Sequence, residues 1–303
     1  MLKLLTKSIG SNGKVTEMSF NKVDLSFQSS TASYDEAKVV VFSCPMDATT
    51  SFRPGTRFAG NAIRVDSIGV EWYSPYRNKN LKHFPTIDIG DLDLPIGDVI
   101  KALDVIYKTT KSIISNNKLP MMIGGEHLVT YPVVKALVEK YPDLHIIHFD
   151  AHTDLRDEFF GMKLSHASVL RRCHDLLGDG RIYQFGIRSG DESEFIWADQ
   201  GHVFLHRYDL KGLDEAIKAI GKHPTYVTID LDVLDPSIFP GTGTPEPGGI
   251  TYKELLTAFD SFENISNLVG CDIVELSPML DPSGVSTAVA AKTLRELILL
   301  LHK

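Results

Sequence analysis

Eight short apolar runs, separated by longer amphipathic stretches, constrain the fold more than any other feature of this sequence. They are 39–42, 86–89, 121–123, 145–149, 182–185, 202–205, 226–229 and 272–274. Each is rich in β-branched residues and mostly apolar on both faces, as strands of a buried parallel sheet are. Between them, residues 94–114, 129–140, 209–220, 251–262 and 286–301 carry apolar residues at helical spacing. Pro278, Pro282 and Gly284 make an entry loop for the last of these. The βαβα alternation predicts one three-layer α/β/α domain over residues 35–303, with a mainly parallel sheet of about eight strands. The same periodicity is compatible with eight strands closing into a barrel. Residues 1–34 are polar, with weak periodicity, and read as an N-terminal arm or edge element.

Composition narrows the function classes. The chain has 303 residues, 43% hydrophobic, enough for a large core without disulfide staples. No apolar run reaches the length of a membrane span. Lys3 and Lys7 interrupt the start too early for a signal-peptide apolar region. A formal charge of −8 argues against a general nucleic-acid binder and suits cationic ligands or metals. Cys44, Cys173 and Cys271 lie too far apart for a CxxC motif. They read as reduced, buried thiols of a cytoplasmic protein.

In parallel sheets, ligands bind beyond the carboxyl ends of the strands, and this chain places its unusual residues there. Gly124-Gly125-Glu126-His127 follows one run and Asp150-Ala151-His152-Thr153-Asp154 the next. Gly186-Ile187-Arg188-Ser189, Asp230-Leu231-Asp232 and Glu275 follow three more. In extended backbone, Asp150, His152 and Asp154 project to one side, about 6.6 Å apart. Such a group is either a cation site, which removes the cost of burying like charges, or a turn capping a helix. Asp230, Asp232 and His127 add three possible ligands at the same edge. Six oxygen and imidazole ligands exceed what one ion needs, so two ions sharing carboxylates fit best, with manganese-like chemistry favoured over structural zinc. His145 and His148 alternate along a strand and read as packing residues. The loop from Gly241 to Gly249 lacks the lysine of a phosphate-binding loop and reads as a shaped active-site loop.

These motifs, with Thr228–Pro236, Arg53–Phe58 and Gly186–Ser189, resemble the ureohydrolases, the superfamily of arginase, agmatinase, guanidinobutyrase, proclavaminate amidinohydrolase and formimidoylglutamase. The resemblance covers nearly everything after residue 35. Tyr73-Ser74-Pro75, Asp154-Leu155-Arg156, Leu164-Ser165-His166 and Gly241–Pro245 are most similar to the bacterial agmatinase branch. The resemblance implies an arginase-like fold and two Mn²⁺ ions per chain. By position, His127, Asp150, Asp154 and Asp230 match the ligands of one ion, and Asp150, His152, Asp230 and Asp232 those of the other. It also implies a homotrimer or homohexamer. Three positions depart from the family pattern. Glu126 replaces the commoner Asp, and Ala167 stands where many relatives have Gly. Arg156 stands where arginases typically use Asn for the substrate's α-carboxylate, which argues against L-arginine.

The expected reaction is hydrolysis of agmatine to putrescine and urea, with metal-activated water attacking the guanidinium carbon. Glu275 pairs with the guanidinium, Thr244 adds an acceptor, Asp154 belongs to the catalytic group, and His166, poised near neutral pH, shuttles the proton to the leaving amine. Asp157, Glu158, Asp191 and Glu192 are candidates for the far amine. The runner-up substrate is 4-guanidinobutyrate, with Arg156 meeting its acid tail. A phosphoryl-transfer enzyme built on Asp230 and Asp232 leaves His127 and His152 unexplained. A non-catalytic binding homologue conflicts with six intact ligand positions.

Overall fold

The structure is a computed structural model, and it describes residues 2–9, 15–22 and 25–303. Among the described residues, twelve strands follow one another in chain order. β1 (Leu2–Ile9) and β2 (Val15–Lys22) pair antiparallel as a separate ribbon. The expected N-terminal arm falls partly outside the described residues. β4 (Tyr73–Ser74) and β5 (Lys79–Asn80) form a small hairpin. The other eight are β3 (Val39–Ser43), β6 (Thr86–Asp91), β7 (Leu119–Ile123), β8 (His145–Phe149), β9 (Ile182–Ile187), β10 (Phe204–Arg207), β11 (Thr225–Asp230) and β12 (Leu268–Val274). They make one sheet in the order β10-β9-β8-β11-β12-β7-β3-β6, and every pairing in it is parallel. β10 and β6 are its two edges, so the sheet is open and the barrel reading is excluded.

Although the strands are apolar on both faces, their side chains still alternate. Val39, Val41, Met121, Ile123, Ile147 and Phe149 join one core, and Val40, Phe42, Met122 and Ile146 join the other. The first core is closed by α1 (Ala59–Asp66), α6 (Leu213–Ile220), α7 (Tyr252–Phe262) and α8 (Val285–Leu301). The second is closed by α2 (Val99–Ser115), α3 (Thr130–Lys140) and α4 (Val169–Leu177). The three layers expected from the sequence are present. All three cysteines are unpaired and buried.

Several boundaries differ from the sequence reading. The helix expected from residue 94 starts at Val99, because Pro95 and Gly97 precede it and the Asp98 side chain accepts the Lys101 N–H at 3.0 Å. The one expected from Asp209 starts at Leu213, after Gly212 in a left-handed conformation. The strand expected at 202–205 begins two residues later, because residues 198–202 form a wide helical turn. α1, α4 and α5 (Glu192–Trp197) are helices that the periodicity did not single out. No helix among the described residues is long and apolar enough to cross a membrane.

Chain order explains where a cleft must open. After β7 the chain passes over two strand positions to lay down β8, β9 and β10, and later returns to fill the gap with β11 and β12. The loops after β7, β8, β11 and β12 therefore leave four adjacent strand ends at the reversal point of the sheet.

Candidate functional site

Those four loops bring His127, Asp150, His152, Asp154, Asp230, Asp232 and Glu275 together. His127 follows β7, and its Nδ1 lies 3.1, 3.3 and 3.4 Å from Oδ2 of Asp150, Asp154 and Asp230. His152 Nδ1 lies 3.0 Å from Asp232 Oδ2 and 3.4 Å from Asp150 Oδ1. Asp150 thus faces both imidazoles, and two neighbouring donor groups share it. The backbone sets the aim of each carboxylate. Asp150 Oδ1 accepts the His152 N–H, Asp230 Oδ1 the Asp232 N–H, and Asp232 Oδ1 the Ala151 N–H. The opposite oxygens turn inward.

One expectation about this motif is corrected. Asp150, His152 and Asp154 converge, but not by strand alternation. β8 ends at Phe149, His152 makes only an isolated bridge to Ser189, and Asp154 has φ of 53°. A turn, with one residue in left-handed backbone, folds Asp154 back toward His127. Glu275 also has positive φ, at 64°. Two non-glycine residues held in that region within one site indicate local strain held by the surrounding packing.

The donor set fits a pair of cations. His127 Nδ1 and Asp232 Oδ2 are buried and lack a hydrogen-bond partner, although oxygens or nitrogens lie 3.0–3.4 Å away. That is the arrangement of atoms that converge on an ion rather than on each other. Charge points the same way. Burial, followed by the Asp150 charge, pushes Asp154 up to about 7. Burial with the charges of Asp232 and Asp150 holds Asp230 well above the usual carboxylate range. Asp150 is itself held well below that range: burial opposes ionisation, but the imidazoles of His127, His148 and His152 around it outweigh that. Positive charge among these carboxylates resolves the conflict.

The structure adds residues that the sequence reading passed over. His148, read as packing, donates from Nε2 to Asp150 Oδ2 at 2.9 Å. Gln184 fixes that tautomer, since its amide donates to His148 Nδ1 at 3.0 Å and to the Thr153 carbonyl at 2.7 Å. The available signal was spacing, because His148 and Asp150 share one face of the strand axis. His145 does serve packing, stacked on Tyr183 and His223. On the far side of His127, Nε2–H donates to Thr228 Oγ1 at 2.9 Å, leaving Nδ1 as the inward-facing nitrogen.

Above the donors lies a cavity of about 200 Å³, lined among others by His152, Asp154, Arg156, Phe159, His166, Thr244 and Glu275. Glu275 is buried, and its Oε1 accepts the His127 N–H at 2.7 Å. Burial and then the Glu126 charge push its carboxyl well up. Thr244 is held by its loop: Arg53 donates to the carbonyls of Thr242 and Gly243, both at 3.0 Å. Arg188 fastens the turn after β11 to the same loop through the carbonyls of Asp232, at 2.7 Å, and Glu246, at 2.8 Å.

His166 opens a short turn before α4. Its N–H donates to Thr49 Oγ1 at 3.0 Å, its Nε2 meets Ser51 Oγ at 3.0 Å, and Phe159 packs edge-on. Burial pulls it down to about 4, so it is neutral at pH 7 rather than poised near neutrality as expected. Glu126, one of the three departures from the family pattern, braces this arrangement. It is fully buried, and its Oε2 accepts from Thr49 N–H at 2.8 Å, Thr49 Oγ1 at 2.9 Å and Thr50 Oγ1 at 3.3 Å.

The expected partners for a substrate's far amine are corrected. Asp157, Glu158, Asp191 and Glu192 are exposed and do not line the cavity. Asp157 pairs with Arg172, and Asp191 caps α5. Glu194, which had not been singled out, does line it. Arg156 lines it as well, over the Phe159 ring, with Nε 3.6 Å from Glu194 and Nη1 3.8 Å from Asp191.

Fold and site together define a class. The arginase family model matches residues 37–300, and the chain belongs to that family of ureohydrolases. Among its relatives, an agmatinase of Bacillus cereus is 46% identical over 275 residues, covering 90% of this chain and 95% of the relative. A guanidinobutyrase of Pseudomonas aeruginosa is 32% identical over 289 residues, covering 90% and 89%. The crystal structure of agmatine ureohydrolase of Thermoplasma volcanium superposes with a TM-score of 0.84 at 34% identity, covering 92% of this chain and 94% of that one.

Proposed function

We propose that the protein hydrolyses agmatine to putrescine and urea, using two Mn²⁺ ions. The carrying observation is the closed run of donors beneath Glu275 and Thr244 in one cavity. His127, Asp150, Asp154 and Asp230 would hold one ion, and Asp150, His152, Asp230 and Asp232 the other. When bound, such a pair lowers the pKa of water enough to supply a nucleophile at neutral pH and polarises the group it attacks.

The chain's own residues orient the substrate. Glu275 is anchored through Oε1 to the His127 N–H, so its other oxygen faces the guanidinium as a charge-assisted acceptor. Thr244 adds a second acceptor on the neighbouring loop. Asp154, pushed up to about 7 by burial and Asp150, belongs to the catalytic group as well as the donor set. Neutral His166 takes up at Nε2 the proton that the attacking water gives up and hands it to the leaving amine, with Ser51 holding the ring. For the far ammonium, Glu194 supplies negative charge at the cavity wall, and with Asp191 it offsets Arg156.

Arg156 also favours a second reading. A guanidinium lining the cavity suits the carboxylate of 4-guanidinobutyrate. Urea release from agmatine, 4-guanidinobutyrate and L-arginine by the manganese-loaded protein separates the readings. Agmatine is expected to give the highest kcat/KM. A preference for guanidinobutyrate overturns the agmatine assignment, and no urea from any of the three overturns the reaction.

A further inference from the structure

A second convergence of metal-binding atoms lies at the opposite end of α4. His174 sits in the last turn of that helix, Asp179 in the turn that follows, and His202 just before β10. His174 Nε2 and His202 Nδ1 approach the same atom, Asp179 Oδ1, at 2.8 and 2.7 Å. His166 precedes the first turn of α4, so eight residues of helical rise put this cluster roughly 12 Å from it along the axis. None of the three residues belongs to the donors beneath Glu275.

We propose that His174, Asp179 and His202 form a separate site for one zinc-class divalent ion. Two imidazoles and one carboxylate are a zinc-type donor set, in contrast to the carboxylate-rich centre beneath the cavity. Bonds of 2.0–2.1 Å to a tetrahedral ion place ligand atoms about 3.3 Å apart, so each N···O distance need open by only about 0.5 Å. The rings are already aimed. Trp197 stacks on His202 with centroids 4.4 Å apart and meets His174 edge-on at 4.7 Å. Without an ion, each ring turns an N–H toward Oδ1. On binding, that proton moves to the ring's other nitrogen and the freed lone pair takes the metal. Asp179 is 64% exposed, which leaves the fourth position open to water. An ion here clamps the end of α4 to the turn that leads into β10.

Trp197 makes the test direct, because the only other tryptophan, Trp72, is replaceable by Phe. The manganese-loaded Trp72→Phe protein is dialysed against Zn²⁺ in excess Mn²⁺, and separately titrated with Cu²⁺ while Trp197 emission is followed. One zinc per chain is expected to be bound that His174→Gln/His202→Gln does not bind. Copper is expected to quench Trp197 with saturation at one equivalent, and zinc to reverse it. Asp179→Asn, at an exposed position, is expected to weaken zinc binding roughly tenfold or more while thermal unfolding without zinc stays unchanged. Equal zinc uptake by wild type and the histidine variants, or zinc binding that leaves Trp197 emission unquenched by copper, overturns the site.

Discussion

Glu126→Ala is the most informative perturbation, because its side chain reaches the chemistry only through a loop. The substitution removes the three hydrogen bonds that Oε2 accepts from Thr49 and Thr50. At about 1 kcal/mol each, the loss is roughly 3 kcal/mol. For a chain of 303 residues, that corresponds to a fall of roughly 5 °C in Tm. Thr49 also receives the His166 N–H, and Ser51 holds the His166 ring, so a loosened loop displaces the proposed proton carrier. Misplacement on the ångström scale costs about a hundredfold in rate, so kcat for urea release is expected to drop by roughly one to two orders of magnitude. KM and bound manganese are expected to hold, since the loop carries neither Glu275 nor a metal donor. Glu126→Gln keeps an acceptor toward Thr49 and is expected to recover most of kcat. Steady-state urea release, metal analysis and thermal unfolding read these quantities. Wild-type Tm and kcat in Glu126→Ala refute the reasoning. Lost manganese refutes the loop route specifically, since the effect would then pass through neighbouring His127.

His148→Phe removes the N–H that aims Asp150, and manganese affinity is expected to fall about 10- to 100-fold by equilibrium dialysis; unchanged affinity removes His148 from the metal centre. Gly125→Ala places a methyl carbon 1.9 Å from the Met46 carbonyl oxygen, so soluble folded protein is expected to be lost, and a wild-type Tm contradicts that. Asp281 accepts from Ser283 and Ser286 at the start of α8, and although burial opposes ionisation these bonds bring it down to about 2. A lowered folded value gives stability that is complete above about 4 and lost as pH falls toward 2. Asp281→Ala is therefore expected to lower Tm at pH 6 and to converge with wild type near pH 2; a gap independent of pH rejects the assignment.

Much of this was legible in the sequence because the strands are short, apolar and closely followed by polar residues. Val39–Ser43 and His145–Phe149 could be read locally, as could the donor residues at their ends. Strand order could not, since periodicity says nothing about which strand lies beside which. Asp154 was assigned the right company through the wrong backbone, because alternation does not foresee a left-handed residue. Ser51 and His166 meet across 115 positions, and no local pattern announces such a pair. The bracing role of Glu126 has no local signal, because its partners, Thr49 and Thr50, are more than 75 residues away. Short amphipathic helices such as α5 hold too few turns for their period to stand out.

The late return of β11 and β12 into the sheet has a consequence for the order of assembly. β7 and β8 flank that gap without touching across it, so β8 keeps an unsatisfied edge until β11 is made about 75 residues later, and β7 until β12 is made about 145 residues after it. Asp230 and Asp232 arrive with the first closing strand and Glu275 with the second. A nascent chain that ends before Thr225 carries four of the six donors and cannot complete the group. On the proposed two-ion reading, a complete centre forms only in chains whose sheet has closed, a step that long-range parallel pairing makes slow. The ions would act as a latch on finished molecules, and a chain stalled before closure would expose two bare strand edges while holding no complete centre.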